Sequence, residues 1–180
     1  MSMTAKNPVA NRLLRAVEML SAAGAVLSGL AFVFMTLLIL AEIFMRTFFD
    51  KSTLIASEYS GYTLAAMIYL GLGYSFRQGA HIRITFLKER LRGWALHLTE
   101  IFCALLGSAL CAMSTIFLWE MVTTSYQRGA TAYTVVETPL WIPQGIILVG
   151  LVIMSLQMFA YLTFLILHGP GAVESEAVNI

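Results

Sequence analysis

Long runs without a charged side chain dominate the hydrophobic pattern of this chain. Three of them, Met19 to Ala41, Tyr59 to Phe76 and Ile101 to Trp119, hold 23, 18 and 19 residues without Asp, Glu, Lys or Arg. A fourth such stretch, Thr138 to Val173, has a strongly apolar part of 28 residues from Leu140 to Leu167. About 20 apolar residues are enough for a helix to cross the hydrocarbon core of a bilayer. The pattern therefore predicts an all-α membrane protein with four transmembrane helices.

The runs and their flanks also predict the domain organisation. We expect one membrane domain over residues 1–168, with spans at about 17–42, 57–77, 99–120 and 139–168, and a mobile cytoplasmic tail at 169–180. The first run could instead be the hydrophobic region of a signal peptide, but such a region is about 7–15 residues long. We therefore interpret the first run as a helix of the mature protein.

Composition excludes two other classes of protein. Hydrophobic residues make up 59% of the chain and charged residues 12%. A soluble fold of this size could not hide so much apolar surface, because even a 150-residue domain leaves roughly 30% of its unfolded-chain surface in water. Disorder requires low hydrophobicity and high net charge. The net charge of +1 indicates no nucleic-acid partner.

The distribution of basic residues predicts the orientation in the membrane. Lysine and arginine are enriched on the cytoplasmic side of membrane proteins. The N-terminal segment and the connection between spans two and three hold eight of them, and the other two connections hold three. We therefore expect both termini in the cytoplasm and the connections near Asp50 and Gly129 outside.

An amphipathic segment follows the second span. Its large apolar residues recur at intervals of 3, 4 and 3, which places them on one helical stripe and predicts a short interfacial helix between spans two and three. The alternative is a cytoplasmic extension of span three. The residues of the stripe are Ile84, Leu87, Leu91 and Trp94.

Small residues at intervals of four mark predicted packing faces, because they let membrane helices approach closely. We predict one such face in each of the first three spans. They are Ser21, Ala25 and Gly29 in the first span, Ser57, Gly61 and Ala65 in the second, and Ala104, Ser108 and Ala112 in the third.

Catalytic chemistry has no candidate in this sequence. The carboxylates of Glu42, Glu58, Glu100 and Glu120 stand at span ends, where interfacial anchoring is the ordinary role. The histidines and the two cysteines do not form a metal, haem or redox motif. We predict no catalytic, metal or substrate-binding residue and no cofactor, and the chain is not expected to be an enzyme.

Three sequence features together resemble a known family. They are the four-span pattern, the stretch from Ser57-Glu58 through Leu70-Gly71-Leu72-Gly73-Tyr74 into Arg77-Gln78-Gly79-Ala80-His81-Ile82-Arg83, and Thr138-Pro139-Leu140-Trp141-Ile142-Pro143-Gln144 at the start of span four. The chain is similar to the small membrane subunit of the tripartite ATP-independent periplasmic (TRAP) transporters, the DctQ-like family. On this resemblance, Glu58, Arg77, Gly79 and His81 match the family's motif and are expected to maintain structure or a subunit contact.

The resemblance implies a role in transport at the bacterial inner membrane. Such transporters take up organic acids with a sodium gradient, using a periplasmic substrate-binding protein and a large multi-span subunit that carries the transport sites. The small subunit is expected to be a scaffold for the large one, surrounded by membrane lipids. The alternative is a self-sufficient small carrier or channel, for which Thr36, Ser155 and Gln157 are the best polar candidates within spans.

Overall fold

The computed structural model describes residues 8–78, 94–134 and 136–168, with the backbone alone at 8–14, 77 and 167–168. This part of the chain forms four α-helices: α1 (Pro8–Phe49), α2 (Ala56–Arg77), α3 (Trp94–Gln127) and α4 (Trp141–His168). Within it, strand-type pairing is limited to an isolated bridge between Thr131 and Pro139. The predicted all-α class is confirmed.

Three of the four helices have membrane-spanning length and composition. They are Arg15–Phe49 within α1, Trp94–Gln127, and Trp141–Ile166 within α4. Helix α2 has 22 residues, which is long enough, but glutamate, serine, glycine and tyrosine residues lower its mean hydropathy. Three of the predicted spans thus have the length and composition needed for a membrane crossing, and crossing by α2 stays a prediction.

The helices continue beyond the charge-free runs. Helix α1 has 42 residues and α3 has 34, so they are about 60 and 50 Å long at 1.5 Å per residue. The hydrocarbon core is only about 30 Å thick. A charge-free run marks the part that lipid can surround, whereas backbone hydrogen bonds let the helix extend further into polar surroundings.

Helices α2 and α4 pack against each other, α1 packs on both of them, and α3 packs on α4. Tyr69 meets Gly150 and Gly73 meets Ile153, so α2 and α4 run in parallel. Helix α1 runs in the opposite direction, because its Gly24 meets Leu70 and its later Ser28 meets the earlier Met67. Helix α3 is antiparallel to α4, because Glu100 bonds Tyr161 and the later Thr115 contacts the earlier Ser155.

This arrangement gives the bundle two distinct ends. The connections at residues 50–55 and 128–140 lie at one end, which we call the loop end. Helix α1 begins and α4 finishes at the opposite end, which we call the terminal end. A buried core lies near the terminal end, where Leu96 and Ala104 of α3 pack against Tyr161 and Leu165 of α4.

Glycines allow close approach between α1, α2 and α4. A Cβ added to Gly150 would lie 2.5 Å from backbone atoms of Tyr69. A Cβ added to Gly24 would lie 2.7 Å from the carbonyl oxygen of Leu70. Neither position has room for a side chain, so these helices touch backbone to backbone, as small residues permit in membranes.

The predicted packing faces are correct at two of three positions in α3 and partly wrong in α1 and α2. Ala104 and Ser108 are buried as expected, as is Ser21. Gly29 and Gly61, however, are exposed, with no heavy atom within 4 Å of an added Cβ. Helix α1 packs through Ser21, Gly24 and Ser28, because intervals of 3 and 4 follow the helical period of 3.6 better than repeated intervals of 4.

Candidate functional site

The carboxylate of Glu42 organises a polar cluster at the loop end. Its Oε1 accepts hydrogen bonds from Arg46 Nε at 2.7 Å and from Ser52 Oγ at 2.6 Å. Its Oε2 accepts from the backbone N–H of Thr53 at 2.9 Å and from the Thr53 hydroxyl. Both carboxylate oxygens are therefore occupied by groups of this chain.

The Glu42 cluster holds the connection between α1 and α2 in a tight conformation. Asp50 and Leu54 have positive φ values of 53° and 59°. Residues other than glycine rarely adopt this left-handed backbone conformation. Ser52 Oγ also accepts a hydrogen bond from the N–H of Leu54 at 3.2 Å. The cluster thus has a structural function, and the expected interfacial anchoring of Glu42 is only part of its role.

A second cluster at the loop end surrounds Glu58, in the first turn of α2. Its Oε1 accepts a hydrogen bond from the hydroxyl of Tyr62 at 2.9 Å. Its Oε2 is buried and makes no hydrogen bond within the described part of the chain, although the hydroxyls of Thr134 and Thr138 lie close to the carboxylate. An acceptor that is buried without a donor is energetically unfavourable.

The connection between α3 and α4 brings its threonines to this cluster. Two backbone hydrogen bonds close the base of this connection: Ala132 N donates to Thr138 O at 2.9 Å, and Leu140 N donates to Ala130 O at 3.0 Å. The hydroxyl of Thr138 in turn donates to the Tyr59 hydroxyl at 3.3 Å. Glu58 therefore lies where α2 meets the connection between α3 and α4.

The other residues of the family-like motif lie at the terminal end or outside the described residues. Arg77 is the last residue of α2. Gly79 and His81 fall outside the described residues, as do Ile84, Leu87 and Leu91 of the predicted interfacial helix. Trp94 is the first residue of α3 and is exposed. The interfacial helix and the motif's role therefore stay predictions.

A third polar contact, near the terminal end, was not expected from the sequence. The hydroxyl of Tyr161 in α4 donates to Glu100 Oε2 in α3. The Tyr161 ring packs edge to face on Phe76 of α2, with ring centroids 5.5 Å apart. Three helices are thus linked at this level. The two hydrogen-bonded residues are 61 positions apart, so no local pattern could have revealed the contact.

Polar groups deep in the apolar segments are bonded within the bundle. Thr36 Oγ1 donates to the carbonyl of its own helix at Phe32, 2.9 Å away. Ser155 Oγ donates to Leu151 O at 2.9 Å. Gln157 Oε1 accepts a hydrogen bond from Ser21 Oγ at 3.2 Å. The three residues suggested for a small carrier therefore have structural contacts.

An open groove of about 560 Å³ lies between α1, α3 and α4. Its lining is almost entirely apolar, so it offers no array of polar groups with which to hold a solute. Its walls are formed by Leu20, Thr115, Ile116, Trp119, Leu148, Val149, Val152 and Ile153.

No group of three or more histidine, cysteine or acidic residues within the described ranges could hold a metal ion. Cys103 and Cys111 are unpaired thiols. The polar clusters described above link helices and connections, and none of them brings together a nucleophile and a general base.

Comparison with known proteins identifies the family. The family model of the DctQ component of tripartite ATP-independent periplasmic transporters matches residues 35–166, which is more than two thirds of the chain. No curated protein and no solved structure matches the chain significantly. The match confirms the resemblance seen in the Ser-Glu and Arg-x-Gly-x-His segments, and the chain therefore belongs to the DctQ component family, the small membrane component of TRAP transporters.

Proposed function

We propose that this protein is the small scaffold subunit of a sodium-driven, binding-protein-dependent transporter for organic acids in the bacterial inner membrane. It stabilises the large transport subunit and carries no substrate or sodium site of its own. The observation that carries the proposal is the family match over residues 35–166. In this role the chain is a structural component and has no catalytic activity.

The positions of the charged residues support a scaffold role. Helix α1 has no charge between Glu18 and Glu42, and α4 has none at all. A coupling site for sodium would require oxygen ligands within the membrane, and ionisable groups there are costly and functional by default. Glu42 is already occupied by its own connection, which leaves no free carboxylate there for ion binding.

The alternative, a self-sufficient carrier or channel, has less support. Gln157 is only 1% exposed and is bonded to Ser21. The groove between α1, α3 and α4 has an apolar lining. A solute that crosses the membrane needs a polar path or site, and the polar candidates in this bundle are bonded within or between its helices.

We assign Glu58 to the contact with the large subunit and expect Glu58→Gln to weaken their association about tenfold or more. A hydrogen bond to a charged group contributes about 1.5–3 kcal/mol, and 1.4 kcal/mol is a factor of ten. Glu58 shapes the surface where α2 meets the connection between α3 and α4, through the hydrogen bond from Tyr62 and the nearby hydroxyls of Thr134 and Thr138. Affinity of the purified subunits for each other measures the effect, and the exposed Glu120→Gln is the matched control. Equal affinity of both variants and the unaltered chain would refute the assignment.

Arg77, Gly79 and His81 are proposed to maintain the turn and contacts at the terminal end. Ile84, Leu87, Leu91 and Trp94 are proposed to lie in the lipid headgroups, where an apolar stripe and basic neighbours favour binding. Trp94 is 71% exposed, which suits an indole ring at the membrane surface.

We propose that both termini are cytoplasmic, that α2 is the fourth crossing, and that the loop end faces the periplasm. In a background with Cys103 and Cys111 replaced by alanine, an impermeant thiol reagent should label Arg128→Cys in intact cells. Glu176→Cys should react only after permeabilisation. Arg128 is preferred to Gly129, whose φ of +58° would strain a cysteine. Labelling at residue 176 but not at residue 128 in intact cells would show that the topology is the opposite of the one proposed.

A further inference from the structure

We propose that Ser21 and Gln157 set the register of α1 against the α2–α4 pair. Their contact selects one sliding position of α1 over positions one helical turn away. It deepens the proposed scaffold function, on which its functional consequence rests, but the contact itself can be tested in this chain alone.

The two side chains are the polar partners of a fully enclosed contact. Ser21 is 0% exposed and Gln157 is 1% exposed. Ser21 Oγ donates to Gln157 Oε1 at 3.2 Å, across 136 positions of sequence. Both residues lie within segments apolar enough to span a membrane. Water cannot replace either partner there, so losing the bond leaves a buried polar group unsatisfied.

The direction of the Ser21 hydroxyl distinguishes it from most hydroxyls in these helices. Thr115 and Ser155 contact each other at 3.1 Å, but each also bonds a carbonyl of its own helix. Ser21 instead donates to a different helix. Ser28, two turns further along the same face, does likewise, donating to Met67 O of α2 at 2.7 Å. Helix α1 thus donates two hydrogen bonds to other helices from its packing face.

Three helices meet at the Ser21–Gln157 contact. A Cβ added to Gly73 of α2 would lie 3.3 Å from Ser21 Oγ and 2.9 Å from Ile153 Cγ2 of α4. Neither Ser21 nor Gln157 belongs to the walls of the apolar groove. The contact is therefore part of the packing between helices and is not the lining of a solute path.

A slide of α1 by one turn would leave Gln157 without its donor. The residues four positions before and after Ser21 are Val17 and Ala25, which offer no side-chain hydrogen bond. Close packing at Gly24 also disfavours such a slide, because Leu20 or Ser28 would then meet the backbone of Leu70. The buried hydrogen bond adds to this steric preference, as a single buried polar residue can specify register in packed helices. In the scaffold role, the selected register decides how far the 42-residue α1 projects from the bundle.

Disulfide trapping in the full chain, with Cys103 and Cys111 replaced by alanine, tests the register. Ser28→Cys with Gly71→Cys reports the native position, because a Cβ on Gly71 would lie 3.7 Å from Ser28 Cβ. Disulfides join Cβ atoms about 3.5–4.5 Å apart. Phe32→Cys with the same partner reports a slide of four residues, which puts Ala25 in the place of Ser21.

We expect the native pair to crosslink and the shifted pair to stay largely reduced. Adding Gln157→Leu should raise crosslinking of a shifted pair about five- to tenfold relative to the native pair, corresponding to about 1–1.4 kcal/mol for one buried hydrogen bond. Ser21→Ala, which removes only one oxygen and introduces no clash, should give the same shift. If the Gln157→Leu variant does not fold, the Ser21→Ala variant is sufficient to test the proposal. Unchanged crosslinking ratios in a folded variant would overturn the proposal, whatever happens to melting temperature or to transport.

Discussion

Proteoliposomes that contain this chain alone are expected to take up no organic anion above the leak of empty vesicles. Vesicles that also contain the large subunit, supplied with the binding protein, should show sodium-dependent uptake, and omission of this chain should abolish it. The physical reason is that deep polar groups such as Gln157 are bonded within the bundle and that the groove beside α4 is apolar. Initial uptake rates at graded sodium concentrations measure the effect.

Variants in the carboxylates provide the control for this experiment. Glu100→Gln and Glu120→Gln should leave the sodium dependence intact, even where protein yield falls. Glu42→Gln should do so as well, although it weakens the hydrogen bonds that close the connection after α1. Robust uptake by this chain alone would refute the scaffold role. A lost sodium response in one variant that still assembles would instead place the coupling site in this subunit.

The sequence was sufficient for the features that depend on local composition. Apolar runs in α1, α3 and α4 are visible without any knowledge of their neighbours, because crossing a bilayer depends on length and hydropathy. Helix α2 is harder, since Glu58 and Tyr59 contact the connection between α3 and α4, which only the folded chain brings near. The family-like motif added what composition could not, namely the transporter to which the helices belong.

Contacts between distant residues could not be predicted, because each depends on where two helices cross. In the sequence, the spacing of four residues that predicted a packing face through Gly29 is as regular as the spacing of three and four residues that runs through Gly24 and Ser28. Only the packing of α1 on α2 decides which face is used. Likewise, the sequence alone indicates only that Glu42 is an interfacial anchor at the end of a span. Its hydrogen bonds to Ser52 and Thr53 appear once the chain turns back at the loop end.

Gly150→Ala is expected to destabilise the isolated subunit by about 3 kcal/mol or more, near the upper range for overpacking a well-packed core. The new Cβ would lie 2.5 Å from the carbonyl carbon and oxygen of Tyr69 and 2.9 Å from its Cβ. Because the first two atoms are backbone, rotation of a side chain cannot relieve the clash, and α2 and α4 must move apart. Gly145→Ala is the matched control in the same helix, with no heavy atom within 4 Å of the added methyl. Thermal unfolding of the purified subunit in detergent should show a large fall in melting temperature for Gly150→Ala and none for the control. Similar melting temperatures for the two variants would mean that α2 and α4 are not in backbone contact at this level, and the parallel α2–α4 pair would have to be abandoned.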